Sequence, residues 1–139
     1  MIYNNINKAL TSLAFLIPLF LYIFTMAPTT SFWDCGEFIA TSVILGVPHP
    51  PGAPLYLLLG NIFSSIPTFS DIGARVNLIS PITSALSVMF LYLIIVYLIE
   101  EYKGRVQSIL DAIIIYGSSF IGAITFAVTD SHWFNAVEA

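Results

Sequence analysis

The sequence predicts an all-α, polytopic membrane protein with three membrane-spanning helices. Two short helices at the membrane interface are expected in the loop between the first two spans. Three observations lead there. Of 139 residues, 58% are hydrophobic and only 9% are charged. Mean hydropathy is +0.90. Three long apolar runs are separated by short polar stretches. A water-soluble domain carries about 25% charged residues. So few charges cannot build an aqueous surface, whereas a bilayer stabilises such a chain, provided its backbone is satisfied within helices.

Span one is expected at about Leu10–Met26, span two at about Ala74–Ile99 and span three at about Ile109–Val128. At 1.5 Å per residue each reaches, or nearly reaches, across a hydrocarbon core of about 30 Å. The first run is longer than a signal-peptide core and further spans follow it, so an uncleaved anchor is expected. Pro18 interrupts it, as membrane helices tolerate. Small residues recur on the later spans: Ser80, Ser84 and Ser87 on span two, Ser118 and Gly122 on span three. Such spacing lets helix backbones approach closely.

The loop at about 27–73 contains a stretch, Phe38–Leu59, apolar enough to suggest a fourth span. It also contains Pro48, Pro50, Pro51 and Pro54. An interior proline costs a helix about 3 kcal/mol. Two short helices are therefore expected instead, Phe32–Leu45 and Ala53–Ile66, joined by a proline turn. In the second, Leu55, Leu58, Leu59, Ile62, Phe63 and Ile66 repeat at helical spacing. This reads as one apolar face lying at the interface.

The four basic residues set the orientation. With a cytoplasmic N-terminus, Lys8, Lys103 and Arg105 fall inside and Arg75 outside, as the positive-inside rule prefers. The loop is then extracytoplasmic. The net charge of −4 excludes nucleic acid as a partner, since phosphate backbones need clustered cations. Membrane lipid is the expected surrounding. The lone Cys35 excludes an internal disulfide and reads as a small packing residue.

Chemistry concentrates in the loop. Asp34 and Glu37 lie one helical turn apart, and Ser31 precedes Asp34 at capping-box spacing. Two such carboxylates can titrate as a pair with separated pKa values, or they can simply be a solvated helix start. His49 sits in the Gly46–Pro54 turn, where prolines restrict the backbone. It can serve as acid, base, ligand or phosphate donor, or merely close a turn. Asp34, Glu37 and His49 could together bind a divalent cation, but their spacing matches no standard ligand pattern. No metal centre is expected, although a divalent metal stays open. Arg75 can hold a lipid phosphate, snorkel to a headgroup or pair with Asp71. Glu138 follows an aromatic stretch, Trp133-Phe134, that resembles an interfacial belt.

Four blocks, in this order, resemble a known family: Phe32-Trp33-Asp34-Cys35-Gly36-Glu37, then Gly46-Val47-Pro48-His49-Pro50-Pro51-Gly52-Ala53-Pro54-Leu55, then Arg75-Val76-Asn77, then Trp133-Phe134-Asn135-Ala136-Val137-Glu138-Ala139. Together they are similar to the start of the protein O-mannosyltransferase-like family that includes transmembrane protein 260. The resemblance implies a GT-C-like membrane glycosyltransferase. Such an enzyme moves a sugar, mannose or a relative, from a polyprenyl-phosphate carrier to Ser or Thr hydroxyls of a protein acceptor. It implies Asp34 as general base and Glu37 as its catalytic partner or a substrate-orienting group. His49, Arg75 and Glu138 are carried over as substrate-binding candidates. Bacterial relatives point to an inner (cell) membrane with the active loop outside. Family members are much longer, so the chain is expected to be a truncated, inactive fragment. Two readings compete: a transporter or flippase subunit, and a non-catalytic membrane scaffold. Transporters usually place ionisable groups near the bilayer midplane, whereas these cluster outside the spans.

Overall fold

The computed structural model describes residues 2–50 and 52–138. Met1, Pro51 and Ala139 lie outside the described residues, including the Pro51 of the predicted proline turn. Among the described residues all regular structure is helical. In chain order the elements are α1 (Ile2–Thr25), α2 (Cys35–Ile44), α3 (Pro54–Ser65), α4 (Ile72–Asn77), α5 (Ile79–Lys103), α6 (Ile109–Ala112), a π-helical turn (Ile113–Gly117), α7 (Ser118–Ala127) and α8 (Asp130–Ala136). Three stretches are long and apolar enough to cross a membrane: Tyr3–Thr25, Ile72–Lys103 and Ile109–Ala127. They correspond to the three expected spans, and the chain is a polytopic membrane protein.

Two compact units form, Met1–Leu21 with Ser84–Trp133, and Tyr22–Thr83 with Phe134–Ala139. In the first, the Tyr92 hydroxyl donates to Asn7 Oδ1 at 2.7 Å. The Tyr116 hydroxyl donates to Glu100 at 3.1 Å. Both bonds satisfy polar groups that lipid cannot. A Cβ built on Gly122 would meet Ile95 Cδ1 at 3.9 Å, so this small residue does face another span. Ser118 instead bonds back to the Ile114 carbonyl of its own helix. The third span begins with a capping box. Ser108 Oγ accepts from the Asp111 amide at 3.1 Å, and Asp111 accepts from the Ser108 amide at 2.9 Å.

The second unit carries the loop. Its core is Cys35, Ile39, Val76 and Ile79, with Tyr56, Leu59 and Phe63 packed against it. Span two is interrupted at Leu78, between α4 and α5. Pro81 lacks the amide that would reach the Asn77 carbonyl, which accounts for the break. Gly60 lets α3 come close to α2: a Cβ there would lie 2.3 Å from Ser42 Oγ. α2 ends on Leu45 in the left-handed conformation, and Asn61 Nδ2 donates to the carbonyls of Ser42 and Val43, both at 3.1 Å. That side chain satisfies carbonyls left open at a helix end.

The apolar face of α3 divides in use. Leu59 and Phe63 turn to the core together with Tyr56, while Leu55, Leu58, Ile62 and Ile66 stay exposed. The stripe is wider than a single helix contact. The close approach at Gly60 selects one edge of it. Asn77 closes the unit: it is fully buried, and its Nδ2 donates to the carbonyls of Ala27 at 3.0 Å and Thr29 at 2.9 Å. The Cys35 thiol donates to Asn77 Oδ1 at 3.7 Å. This pins the segment leaving α1 against α4.

Candidate functional site

Asp34 occupies the N-cap of α2, and its side chain makes no capping bond. The helix thus starts three residues later than expected, and Ser31 is not its cap. The Ser31 amide donates to Cys35 Sγ at 3.4 Å, and its hydroxyl donates to Glu138. The capping-box spacing misleads because Asp34 itself takes the N-cap position. Its carboxylate is left facing outward, toward His49, rather than folded onto the helix.

Glu37 lies in the first turn of α2, where the helix dipole favours a carboxylate. Glu37 Oε1 accepts from the His49 amide at 2.7 Å, and Oε2 meets His49 Nδ1 at 2.7 Å. An ionised carboxylate only accepts, so Nδ1 carries the proton. His49 Nε2 then faces Asp34 Oδ2 at 4.0 Å. The hydrogen bond with Glu37, reinforced by its charge and that of Asp34, raises the His49 pKa above its ordinary 6.5. The same bond, with the His49 amide, lowers that of Glu37. The two carboxylates, Asp34 and Glu37, each face a nitrogen of His49. His49 stands between them, held from below by the edge of Phe38, whose ring centroid lies 6.2 Å away. The turn that presents it closes with the Gly52 amide donating to the His49 carbonyl at 3.0 Å, and Gly52 has φ +79°. Glycine adopts that conformation without steric cost.

One ligand atom from each of Asp34, Glu37 and His49 lies within 4.8 Å of the other two. Three residues separated in sequence are thus brought together, as a cation site would require. Yet Nδ1 is engaged by Glu37, so only Nε2 is turned toward Asp34. A proton on His49 fits the observed distances with no rearrangement; a divalent ion would draw on Nε2 and the Asp34 carboxylate.

Glu138 joins the same region. The Ala27 amide donates to the Val137 carbonyl at 2.9 Å, and Ser31 holds the Glu138 carboxylate. A cleft of about 680 Å³ opens beside Asp34, with Trp33, Phe38, Tyr56, Phe134, Asn135 and Glu138 among its walls. Pockets of about 300–1,000 Å³ take small organic ligands.

Arg75 lies elsewhere. Its guanidinium donates to the carbonyls of Phe69 at 2.6 Å, Ser64 at 3.2 Å and Ser70 at 3.5 Å. It ties the end of α3 to the turn before α4. It does not pair with Asp71, which caps α4 by accepting from the Ala74 amide at 3.1 Å and from Thr29 Oγ1 at 3.3 Å. Two residues escaped sequence reasoning. Asn77 carried a weak signal, a polar residue inside an otherwise apolar helix. Trp33 carried none for its φ of +58°.

The helices and this acidic, histidine-centred loop define an integral membrane protein whose polar site is built outside its spans. The chain belongs to the family described as the protein O-mannosyl-transferase TMEM260 N-terminal domain, which it matches over residues 34–139. The protein O-mannosyl-transferase tmem260 of Dictyostelium discoideum is 35% identical over 75 residues, covering 52% of this chain and 9% of that protein. The protein O-mannosyl-transferase TMEM260 of Mus musculus is 32% identical over 75 residues, covering 54% of this chain and 11% of that protein. The match thus spans only about a tenth of these relatives. No solved structure matches the chain.

Proposed function

We propose that this chain is the N-terminal part of a membrane glycosyltransferase. The full enzyme moves a mannose-like sugar from a polyprenyl-phosphate donor to Ser or Thr hydroxyls of a protein, on the extracytoplasmic side of a bacterial inner membrane. The observation that carries the reading is Asp34: a carboxylate with no capping bond, at the wall of a cleft able to hold a small ligand. The names of the two relatives support the class of reaction.

In this reading Asp34 accepts the proton of the acceptor hydroxyl, from hydrogen-bond distance. The acceptor oxygen attacks the anomeric carbon, the bond from that carbon to the phosphate oxygen breaks, and the lipid phosphate leaves with the electron pair. Glu37 fixes His49, and His49 sets the direction and charge surrounding Asp34. Arg75 acts at a distance by fixing the loop. Glu138 supplies an acceptor for substrate hydroxyls. The leaving phosphate needs positive charge, which this part of the enzyme supplies only sparingly.

The test is sugar transfer by the purified full-length protein, with polyprenyl-phosphate mannose and a Ser/Thr peptide. Asp34→Asn should lower turnover by about 100-fold or more, the usual worth of a positioned base. Transfer at the wild-type rate by that variant would remove Asp34 from the chemistry.

A further inference from the structure

Trp33 breaks two rules at once. Its φ of +58° places a bulky side chain in the left-handed region, where a Cβ clashes with its own backbone. The residue is also 86% exposed. An aromatic residue gains stability by burial, so neither conformation nor solvation holds Trp33 where it is. What surrounds it is the cleft beside Asp34. Phe38, Tyr56 and Phe134 give that cleft further aromatic surface, and Glu138 and Asn135 give it polar atoms. Among the described residues lining it, none is cationic. A phosphate finds no cationic partner there and meets two carboxylates. A neutral ring with apolar C–H faces and hydroxyl edges finds both: aromatic faces for the one, carboxylates and an amide for the other.

We propose that Trp33 is the platform on which the transferred glycosyl ring stacks, with its hydroxyls turned toward Asp34 and Glu138 and its phosphate outside the cleft. This rests on the glycosyltransferase reading and adds to it a binding residue and a position for the sugar. Adjacency in the chain gives the geometry its use. A ring resting on Trp33 brings its anomeric carbon near the carboxylate that follows. Insertion of Trp33 into lipid fits less well, because Asp34 would be drawn toward hydrocarbon with it.

The experiment uses the full-length protein and polyprenyl-phosphate mannose as the varied donor. Trp33→Ala should raise the donor KM about tenfold and leave kcat within about threefold, as loss of one aromatic contact predicts. Trp33→Phe should recover most of that loss. Thermal stability should be unchanged in both variants. A donor KM unaltered in Trp33→Ala overturns the assignment, and so does failure of Trp33→Phe to rescue. A lowered melting temperature in Trp33→Ala shows that the rest of the protein packs on this residue, which also overturns it. Quenching of Trp33 fluorescence by brominated phospholipid, absent in Trp33→Phe, would assign it to the membrane instead. Absence of any transfer by the wild-type protein defeats the glycosyltransferase reading itself, a result distinct from normal transfer with an unaltered donor KM.

Discussion

Glu37 grips His49 at two points, with one carboxylate oxygen on its amide and the other on its imidazole, each at 2.7 Å. Twelve residues and a proline-rich turn separate them. The grip makes a single object of two sequence blocks, and it decides what Asp34 faces.

The pair should show in titration. Glu37 has a lowered pKa and His49 a raised one, each chiefly through their mutual hydrogen bond. The Glu37 contribution is present above its unfolded value near 4.5 and is lost as pH falls through the lowered value. The His49 contribution is complete below 6.5 and is lost as pH rises through the raised value. Both contributions are therefore complete between about pH 4.5 and 6.5, while the ion pair itself persists beyond either limit until pH passes the lowered Glu37 value or the raised His49 value. In Glu37→Gln the His49 imidazole, followed by NMR, should titrate at lower pH than in the wild type. An unchanged midpoint would show that the contact does not persist in solution.

Asn77→Ala should destabilise the protein by about 2–3 kcal/mol, because two carbonyls and a thiol lose their buried partner. Detergent-based thermal or denaturant unfolding measures it. A loss below about 0.5 kcal/mol, the size of an ordinary surface substitution, would mean that water replaces the amide.

Gly60→Ala forces a methyl group to 2.3 Å from Ser42 Oγ and 2.7 Å from Ser42 Cβ. Overpacking of this kind costs about 1–3 kcal/mol. Ser42→Gly in the same protein should restore part of the loss. Strict additivity of the two substitutions would disprove the contact.

Arg75→Met should lower stability by about 1–2 kcal/mol, through charge-assisted hydrogen bonds to three carbonyls. Donor KM should stay within about twofold, less than the loss of one good contact at about 1.4 kcal/mol per tenfold. A large rise in KM with unchanged stability would return Arg75 to direct substrate binding.

Tyr56→Phe removes a hydroxyl whose oxygen is buried and has no hydrogen-bond partner among the described residues. Burial also pushes its pKa up. Losing it should leave stability equal or raise it by up to about 1 kcal/mol, since an unsatisfied buried hydroxyl costs about that much. A clear loss of stability in the full-length protein would reveal a partner from the rest of the chain.

The three spans were legible because they depend on a long-range average. Apolar composition over some twenty residues needs no knowledge of neighbours. The two loop helices were legible in number, though not in their ends. Spacing alone put Asp34 in the first turn behind a Ser31 cap, whereas Asp34 itself takes the N-cap position. The residues that the fold gathers at the loop, Asp34, Glu37, His49 and Glu138, were all singled out by residue type. Their connections were not. His49 between two carboxylates, and Glu138 held by Ser31, join positions 12 and 107 residues apart, which no local pattern encodes.

Sequence by itself determined that this chain enters a membrane as helices and keeps its acids in the loop and at the ends of the spans. Both follow from the cost of moving charge and bare backbone out of water, a property of each residue. Tertiary structure alone decided the contacts. It gave Arg75 to the backbone, His49 to Glu37, Asn77 to the segment after α1, and left Asp34 and Trp33 beside an open cleft. Those outcomes hang on distances of a few ångströms between residues far apart in the chain, and only the folded packing sets them.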